Sequence, residues 1–313
     1  MSRISGVYLS RSLDLAALFD ETVGRLAPDL DLRPPERIDD PATVRFAVCW
    51  EPADDAFDAY PNLGMAASIA AGIDGILAVP SLPDIPVTRV RDPEQARIMA
   101  GHVVWNVLWW HRRFGERLAF QAARRWERLS HHAPSTVTIG ILGFGLMGRA
   151  AAEALLPLGF RVVGWARTTR GAIDGVPLET GADGLDRVVA EADFLINLLP
   201  LTEATRGLLG ADLFAKMPKG AVLIQVGRGA HLDEAALLAA LDDGRLGGAS
   251  LDVFAVEPLP ADHPLWSHPK VLVTAHDAAE AGFETIVASI AEDARRLVAG
   301  QPLLGEVPRD RGY

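Results

Sequence analysis

Val137-Thr-Ile-Gly-Ile-Leu142 runs directly into Gly143-Phe-Gly145-Leu-Met-Gly148, an apolar strand pattern followed by a glycine-rich turn that opens a helix near Arg149. Each glycine has a mechanical reason. Gly143 permits the tight turn, Gly145 lets the backbone approach a pyrophosphate, and Gly148 lets helix and strand pack closely. The helix N-terminus then offers N–H groups and the positive end of its dipole to phosphates. Glycine turns are common, so the motif alone is weak. Here a strand precedes it, a helix follows, and a second strand over Arg161–Ala166 completes a βαβ unit. The reading is a dinucleotide site, with Leu146 and Met147 counted in it between the last two glycines.

Working outward toward the C-terminus, the alternation continues. Thr136–Leu142, Arg161–Ala166, Phe194–Leu198, Ala221–Val226, Ala249–Phe254 and Val271–Ala275 read as strands, with helical stretches such as Arg149–Leu158 and Asp233–Asp243 between them. Strands apolar on both faces and alternating with helices indicate an α/β doubly wound parallel sheet covered on both sides. Ala278–Gly300 reads as one long amphipathic helix. Toward the N-terminus, Asp92-Pro93-Glu94 is a helix start, and helical periodicity runs to about Phe114. Before it lie shorter pieces punctuated by proline: a helix over Ser12–Leu26 and strands at Val44–Trp50, Met65–Ala70 and Val87–Val90.

Composition bounds the function. The chain has 313 residues, so two domains are expected from the ~150 usual for one. Its 30 basic and 41 acidic residues give a net charge of −11, which argues against a nucleic-acid partner. Cys49 is the single cysteine, so neither an internal disulfide nor a cysteine-based zinc site is available, and no metal is expected. No stretch reaches the ~20 apolar residues of a membrane span, and Asp14, Asp20 and Glu21 stand where a secretory signal would be apolar. A cytoplasmic protein is expected.

The end of the second strand selects the cofactor. An NAD site places Asp or Glu about 20 residues beyond the glycine turn, to accept from the ribose 2′-hydroxyl. Here the chain reads Trp165-Ala-Arg167-Thr168-Thr-Arg170, with no carboxylate. Arg167, Thr168 and Arg170 are therefore candidates to bind a 2′-phosphate, which predicts NADP(H) over NAD(H), with NAD(H) as the alternative.

Three later strand ends carry the chemistry. Gln225-Val226-Gly227-Arg228-Gly229 sets an arginine between glycines, Glu257 lies just beyond the next strand, in which Asp252 falls, and His276 ends the one after. In an open parallel sheet these carboxyl ends converge on the ligand crevice. The set suits reduction of a 2-keto acid. His276 would protonate the developing alkoxide, Glu257 would favour and orient the imidazolium, and Arg228 would hold the carboxylate and polarise the keto oxygen.

From about residue 136 to 277 the chain resembles the D-2-hydroxyacid dehydrogenase family, closest to its glyoxylate/hydroxypyruvate reductase A type. The resemblance rests on GFGLMG, INLLPLTEATRGLL, KGAVLIQVGRG, GASLDVFAVEPLP and HPLWSHPKVLVTAH, with weaker matches at Ala71–Leu77 and Trp109–Phe114. It implies NADPH-dependent reduction of glyoxylate or hydroxypyruvate to the D-2-hydroxy acid. By position, Arg228 matches the substrate arginine and His276 with Glu257 the proton-donor pair. Asp252 matches a residue near the nicotinamide amide; Leu199, Pro200, Thr205 and Val226 fall in stretches lining the cofactor. Gly72 and Ile73 match a turn whose N–H groups bind the substrate carboxylate, and Trp50 a wall of that pocket.

The resemblance also implies a smaller flavodoxin-like substrate domain built from residues 1–100 and 278–313, interrupted by a Rossmann-type domain over 101–277, and a homodimer formed through the latter. Departures are Gln225 for asparagine, Ala275 for proline, Glu203 for proline, Ala70 for glycine, and Asp277, a carboxylate beside the proton donor or a cap for the helix after it. Two other readings stay open: a non-catalytic dinucleotide sensor or corepressor on the same fold, and a dehydrogenase for a different 2-hydroxy acid.

Overall fold

The computed structural model describes residues 3–169 and 171–308. Its strands are β1 (Ile4–Ser10), β2 (Leu30–Arg33), β3 (Phe46–Trp50), β4 (Met65–Ser68), β5 (Val87–Thr88), β6 (Thr138–Leu142) and β7 (Arg161–Trp165). They continue with β8 (Leu178–Glu179), β9 (Phe194–Asn197), β10 (Ala221–Gln225), β11 (Leu246–Leu251), β12 (Val271–Val273) and β13 (Glu306–Val307). The helices are α1 (Leu15–Leu26), α2 (Asp74–Leu77), α3 (Pro93–His111), α4 (Phe114–Ala122), α5 (Leu146–Leu155), α6 (Gly181–Glu191), α7 (Ala211–Lys216), α8 (Glu234–Asp242) and α9 (Phe283–Val298). Among the described residues the chain separates into two units. One runs to Glu94 and resumes at Glu280; the other is continuous from Gln95 to Ala279. These junctions differ by a few residues from those expected at 101 and 277.

The first unit carries a sheet in the order β13-β5-β4-β3-β1-β2, parallel except for β13. Its parallel part follows the 2-1-3-4-5 order of flavodoxin-like sheets. Helices α1 and α9 pack together through an edge-to-face pair, Phe19 and Phe283, with ring centres 5.2 Å apart. The Asp14 carboxylate accepts from the Ala17 N–H at 3.0 Å and so starts α1, a cap that contributes about 1 kcal/mol. Strand β1 lies between two neighbours, and Gly6 within it has no room for a Cβ, which would meet the Phe46 ring at 2.4 Å.

The second unit carries the all-parallel order β12-β11-β10-β9-β6-β7-β8. Numbered within the unit, this is the doubly wound 3-2-1-4-5-6 arrangement with one further edge strand. Both faces are buried, as the sequence predicts. Leu142, Leu195 and Leu223 point into one core, and Ile141, Ile196 and Ile224 into the other. Strand order reverses between β6 and β9, which fixes the ligand crevice at their carboxyl ends.

Several expected boundaries move. Helix α5 begins at Leu146 rather than Arg149, which puts Gly148 in its first turn. A Cβ there would meet the Gly143 carbonyl oxygen at 2.1 Å, so close packing outweighs helix propensity. The same helix stops at Leu155, and Pro157 sits in a 3₁₀ turn after it. The helix read as far as Phe114 breaks at Arg113, whose φ is +53°, and α4 starts afresh. Strand β11 ends at Leu251, not Phe254, because the chain turns at Asp252, and β12 ends at Val273 rather than Ala275. Residues 278–282 are not helical: the Gly282 N–H turns to the Asp92 carboxylate, 3.4 Å away, and α9 starts only at Phe283. Among the described residues no helix is long and apolar enough to cross a membrane.

Candidate active site

At the carboxyl end of β6, Gly143 takes φ +97°, a conformation that L side chains avoid. A Cβ on it would press on the Leu198 carbonyl oxygen at 2.6 Å, so the turn is locked against the loop after β9. Gly145 differs. It is exposed, caps α5, and a Cβ on it would meet nothing within 4 Å. Its missing side chain therefore opens space at the helix N-terminus, the cradle a pyrophosphate needs. Leu146 is exposed and Met147 half-buried in the first helical turn. Beyond β7, Arg167 and Thr168 are both exposed, while Arg170 lies outside the described residues. Thr205 is buried, donating to the Pro200 carbonyl at 2.9 Å and accepting from the Thr202 N–H at 2.8 Å, which folds the loop after β9. Leu199 and Val226 bury their side chains in the two cores, so only their backbone can face a ligand.

The structure brings Arg228, Glu257 and His276 together. His276 Nδ1 lies 2.7 Å from a Glu257 carboxylate oxygen. This hydrogen bond raises the imidazole above its ordinary value, reinforced by the Glu257 charge and opposed by burial and Arg228. Burial pushes Glu257 upward, but the bonds from His276 and from the Phe254 N–H, with the His276 and Arg228 charges, outweigh it and hold the carboxyl low. Glu257 occupies Nδ1, which leaves Nε2 as the ring nitrogen that can give a proton.

Arg228 stands between glycines that cannot be replaced. A Cβ on Gly229 would meet the Phe254 carbonyl oxygen at 1.8 Å, so the arginine loop lies directly against the segment leading to Glu257. A Cβ on Gly227 would meet Asn197 Nδ2 at 2.8 Å. Arg228 Nη1 donates to the Gly227 carbonyl at 2.9 Å.

Beneath this loop is a buried polar network that sequence reading missed. Asn197 Nδ2 lies 2.7 Å from Gln225 Oε1 and 2.9 Å from His231 Nδ1. Gln225 Nε2 donates to the Arg228 carbonyl at 2.8 Å, and the Arg228 N–H donates to His231 Nδ1 at 3.1 Å. An N–H can only donate, so Nδ1 accepts and the ring proton sits on Nε2, facing the Pro200 carbonyl at 3.2 Å. All three side chains are fully buried. The available signal was a polar residue closing each of two apolar strands, Phe194-Leu-Ile-Asn197 and Ala221-Val-Leu-Ile-Gln225.

Asp252 is likewise engaged. Its carboxylate accepts from Thr274 Oγ1 at 2.6 Å and from the Asp277 and Ala278 N–H groups at 3.1 Å each, and its carbonyl accepts from the His276 N–H at 2.8 Å. The His276 backbone has φ +54°, a left-handed conformation costing about 1–3 kcal/mol, and Asp252 holds it there. Asp277 joins this clamp through its N–H and does not cap α9, which starts at Phe283 after Gly282.

Trp50, Gly72 and Ile73 belong to the first unit. Trp50 ends β3, half-buried, and Ile73 is buried at the start of α2. The turn after β4 is shaped by Ser68, whose hydroxyl donates to the Gly72 carbonyl at 2.8 Å and accepts from the Ala70 N–H at 3.1 Å.

Residues 104–278 match the D-isomer specific 2-hydroxyacid dehydrogenase, NAD binding domain family. This chain belongs to the D-isomer specific 2-hydroxyacid dehydrogenases. Among particular relatives, it is 38% identical over 274 residues, 86% of this chain and 87% of the other, to glyoxylate/hydroxypyruvate reductase A of Klebsiella pneumoniae subsp. pneumoniae. A D-isomer specific 2-hydroxyacid dehydrogenase from Xanthobacter autotrophicus Py2, solved with NADPH and MES, superposes with a TM-score of 0.92 at 38% identity over all of both chains. The NADPH-dependent glyoxylate/hydroxypyruvate reductase of Sinorhizobium meliloti, solved with NADP and sulfate, gives 0.92 at 34% identity, covering 99% of this chain and 100% of the other.

Proposed function

We propose that this protein reduces small 2-keto acids, glyoxylate and hydroxypyruvate foremost, to D-2-hydroxy acids with NADPH. The observation that carries the reading is the 2.7 Å hydrogen bond between His276 and Glu257 beside Arg228, at the carboxyl ends of a doubly wound sheet. NADPH, when bound, supplies the hydride. His276 gives its Nε2 proton to the alkoxide oxygen as that charge develops, and Glu257 holds the ring protonated and oriented. Arg228 takes the substrate carboxylate in its planar fork and polarises the keto oxygen. In the first unit, Gly72 and Ile73 offer N–H groups to a substrate carboxylate, and Trp50 is a substrate-contacting side chain.

The donor set fits the dinucleotide. Gly143, Gly145 and Gly148 shape the pyrophosphate cradle with Leu146 and Met147, while Leu199, Pro200, Thr205 and Val226 line its course. Arg167, Thr168 and Arg170 take the 2′-phosphate, a discrimination of about ten- to a hundred-fold over NADH. Asp252 acts on the nicotinamide end by fixing the loop that carries His276. The pairing of two copies through the cofactor-binding unit is supported by Trp105, Phe114, Leu118 and Trp126, large apolar side chains exposed along α3, α4 and the segment after.

The test is NADPH oxidation by the purified protein against glyoxylate, hydroxypyruvate, pyruvate and larger branched or aromatic keto acids, repeated with NADH and with H276A. Turnover of the small acids is expected, with NADPH preferred and a loss of about a hundred- to ten-thousand-fold in H276A. Silence with every acid, or NADH equal to NADPH, defeats the reading or its cofactor assignment respectively.

A further inference from the structure

We propose that Arg89, in the unit that carries Gly72 and Ile73, is an anchor for the substrate carboxylate. The inference deepens the reading above and rests on it. Trp50 ends β3, and the turn from Ile69 to Ile73 and Arg89 follow the carboxyl ends of β4 and β5, its neighbours in the parallel order. This is the edge of an open sheet where ligands bind.

The arginine is pinned at its backbone and unsatisfied at its head. Its N–H donates to the Gly305 carbonyl at 3.0 Å, and the next residue, Val90, donates to the Ala70 carbonyl at 3.1 Å. The 88–90 segment thus lies along the turn. From the guanidinium, Nη1 reaches only the Ala71 carbonyl, at 3.5 Å, one residue before Gly72. Nε is buried without a hydrogen-bond partner. Among the described residues no carboxylate pairs with Arg89, and the charge that acts on it is another cation, Arg91. Burial, then Arg91, pull the guanidinium below its ordinary value, so the site penalises this charge and offers it no counter-charge. A half-buried guanidinium with five donors and one long contact is a receptor for an anion. At this turn the anion the reaction brings is the carboxylate shared by all 2-keto acids.

R89M and R89K are compared with the wild type. R89M is expected to raise KM about ten- to a hundred-fold for glyoxylate and hydroxypyruvate alike, because both present the same carboxylate. KM for NADPH should stay put, and R89K should recover part of the loss. Unchanged KM for glyoxylate overturns the proposal. So does a loss confined to hydroxypyruvate, or a fall in thermal stability and kcat with KM intact, which marks a structural arginine. Oxamate, a non-reacting carboxylate analogue, separates this inference from the reading beneath it. If the wild type turns over no keto acid but oxamate raises its unfolding temperature, fails to do so in R89M and does so in part in R89K, the anion site stands and the reductase reading falls.

Discussion

The two loops that carry the proposed chemistry are held in opposite ways. The Arg228 loop rests on a neutral, fully buried network of Asn197, Gln225 and His231, in which almost every donor finds an acceptor. The His276 loop rests on one buried charge, Asp252, and its reacting side chain belongs to a half-exposed, titrating pair. The difference follows from the tasks. An arginine keeps its charge at any physiological pH, so it needs only a rigid seat. A proton donor must be charged before the reaction and neutral after it, so its partners must tolerate both states. Distributing one support over several bonds, and concentrating the other on a single residue, also makes the two loops fail differently.

Among the residues that support the two loops, Asp252 is where the largest effect is expected. In D252N the amide nitrogen turns a donor toward groups that themselves donate: Thr274 Oγ1 or the N–H of Asp277 or Ala278. One buried N–H is left unpaired and a charge-assisted set is lost, at about 2–3 kcal/mol. The left-handed backbone at His276 loses its clamp at the same time. We expect a fall in the midpoint of denaturant unfolding and a loss in kcat of about ten- to a hundred-fold, read by urea titration and by NADPH oxidation. Retention of both would show that the His276 loop is held by something other than this carboxylate.

Glu257 tests the titrating side. Reduction needs His276 protonated, and Glu257 raises its pKa. Activity therefore persists as pH rises past the ordinary imidazole value and falls only through the raised one. In E257Q the falling limb should move to lower pH, so the loss is greater at pH 8 than at pH 5.5. The linkage to stability has the same sign. The stabilisation from His276 is present below its ordinary value and lost as pH rises through the raised one. That from Glu257 is present above the ordinary carboxylate range and lost as pH falls through its lowered value. A pH–kcat/KM profile identical in shape to the wild type breaks the assignment of roles within the pair.

The contrast also explains what was legible in the sequence. Gly143, Gly145 and Gly148 could be read because their requirement is local: strand, turn and helix stand in one stretch. Arg228, Glu257 and His276 could be read because each sits at a strand end, and strand ends converge in this sheet by topology alone. The support beneath them could not. Asn197, Gln225 and His231 meet only after three segments fold, and His231 looks like any histidine until the Arg228 N–H fixes its tautomer. Strand β1 was hidden for a related reason: Gly6 and the flanking serines dilute its apolar pattern, and the glycine answers to the distant Phe46 ring. The start of α5 at Leu146 is hidden in the sequence because Gly148 looks like a turn residue, whereas its lack of a side chain serves contact with Gly143.

Gln225 sharpens the comparison at its smallest scale. It stands where an asparagine is usual in the resembling family, and here its extra methylene lets one amide reach both Asn197 and the Arg228 carbonyl, at 2.7 and 2.8 Å. Q225N shortens that reach. It should cost about 1–2 kcal/mol, since a buried donor or acceptor goes partly unmade in a network that excludes other partners. The effect on function should be smaller than in D252N, because Gly227, Gly229 and His231 still constrain the Arg228 loop. A rise of a few-fold in KM for the keto acid is expected, with the pH profile unchanged, because the proton given in the reaction comes from His276, which this network does not touch. A shift of the pH limb in Q225N, read from the same profile as E257Q, would show that the two supports are coupled and that their separation into a rigid seat and a titrating one is wrong.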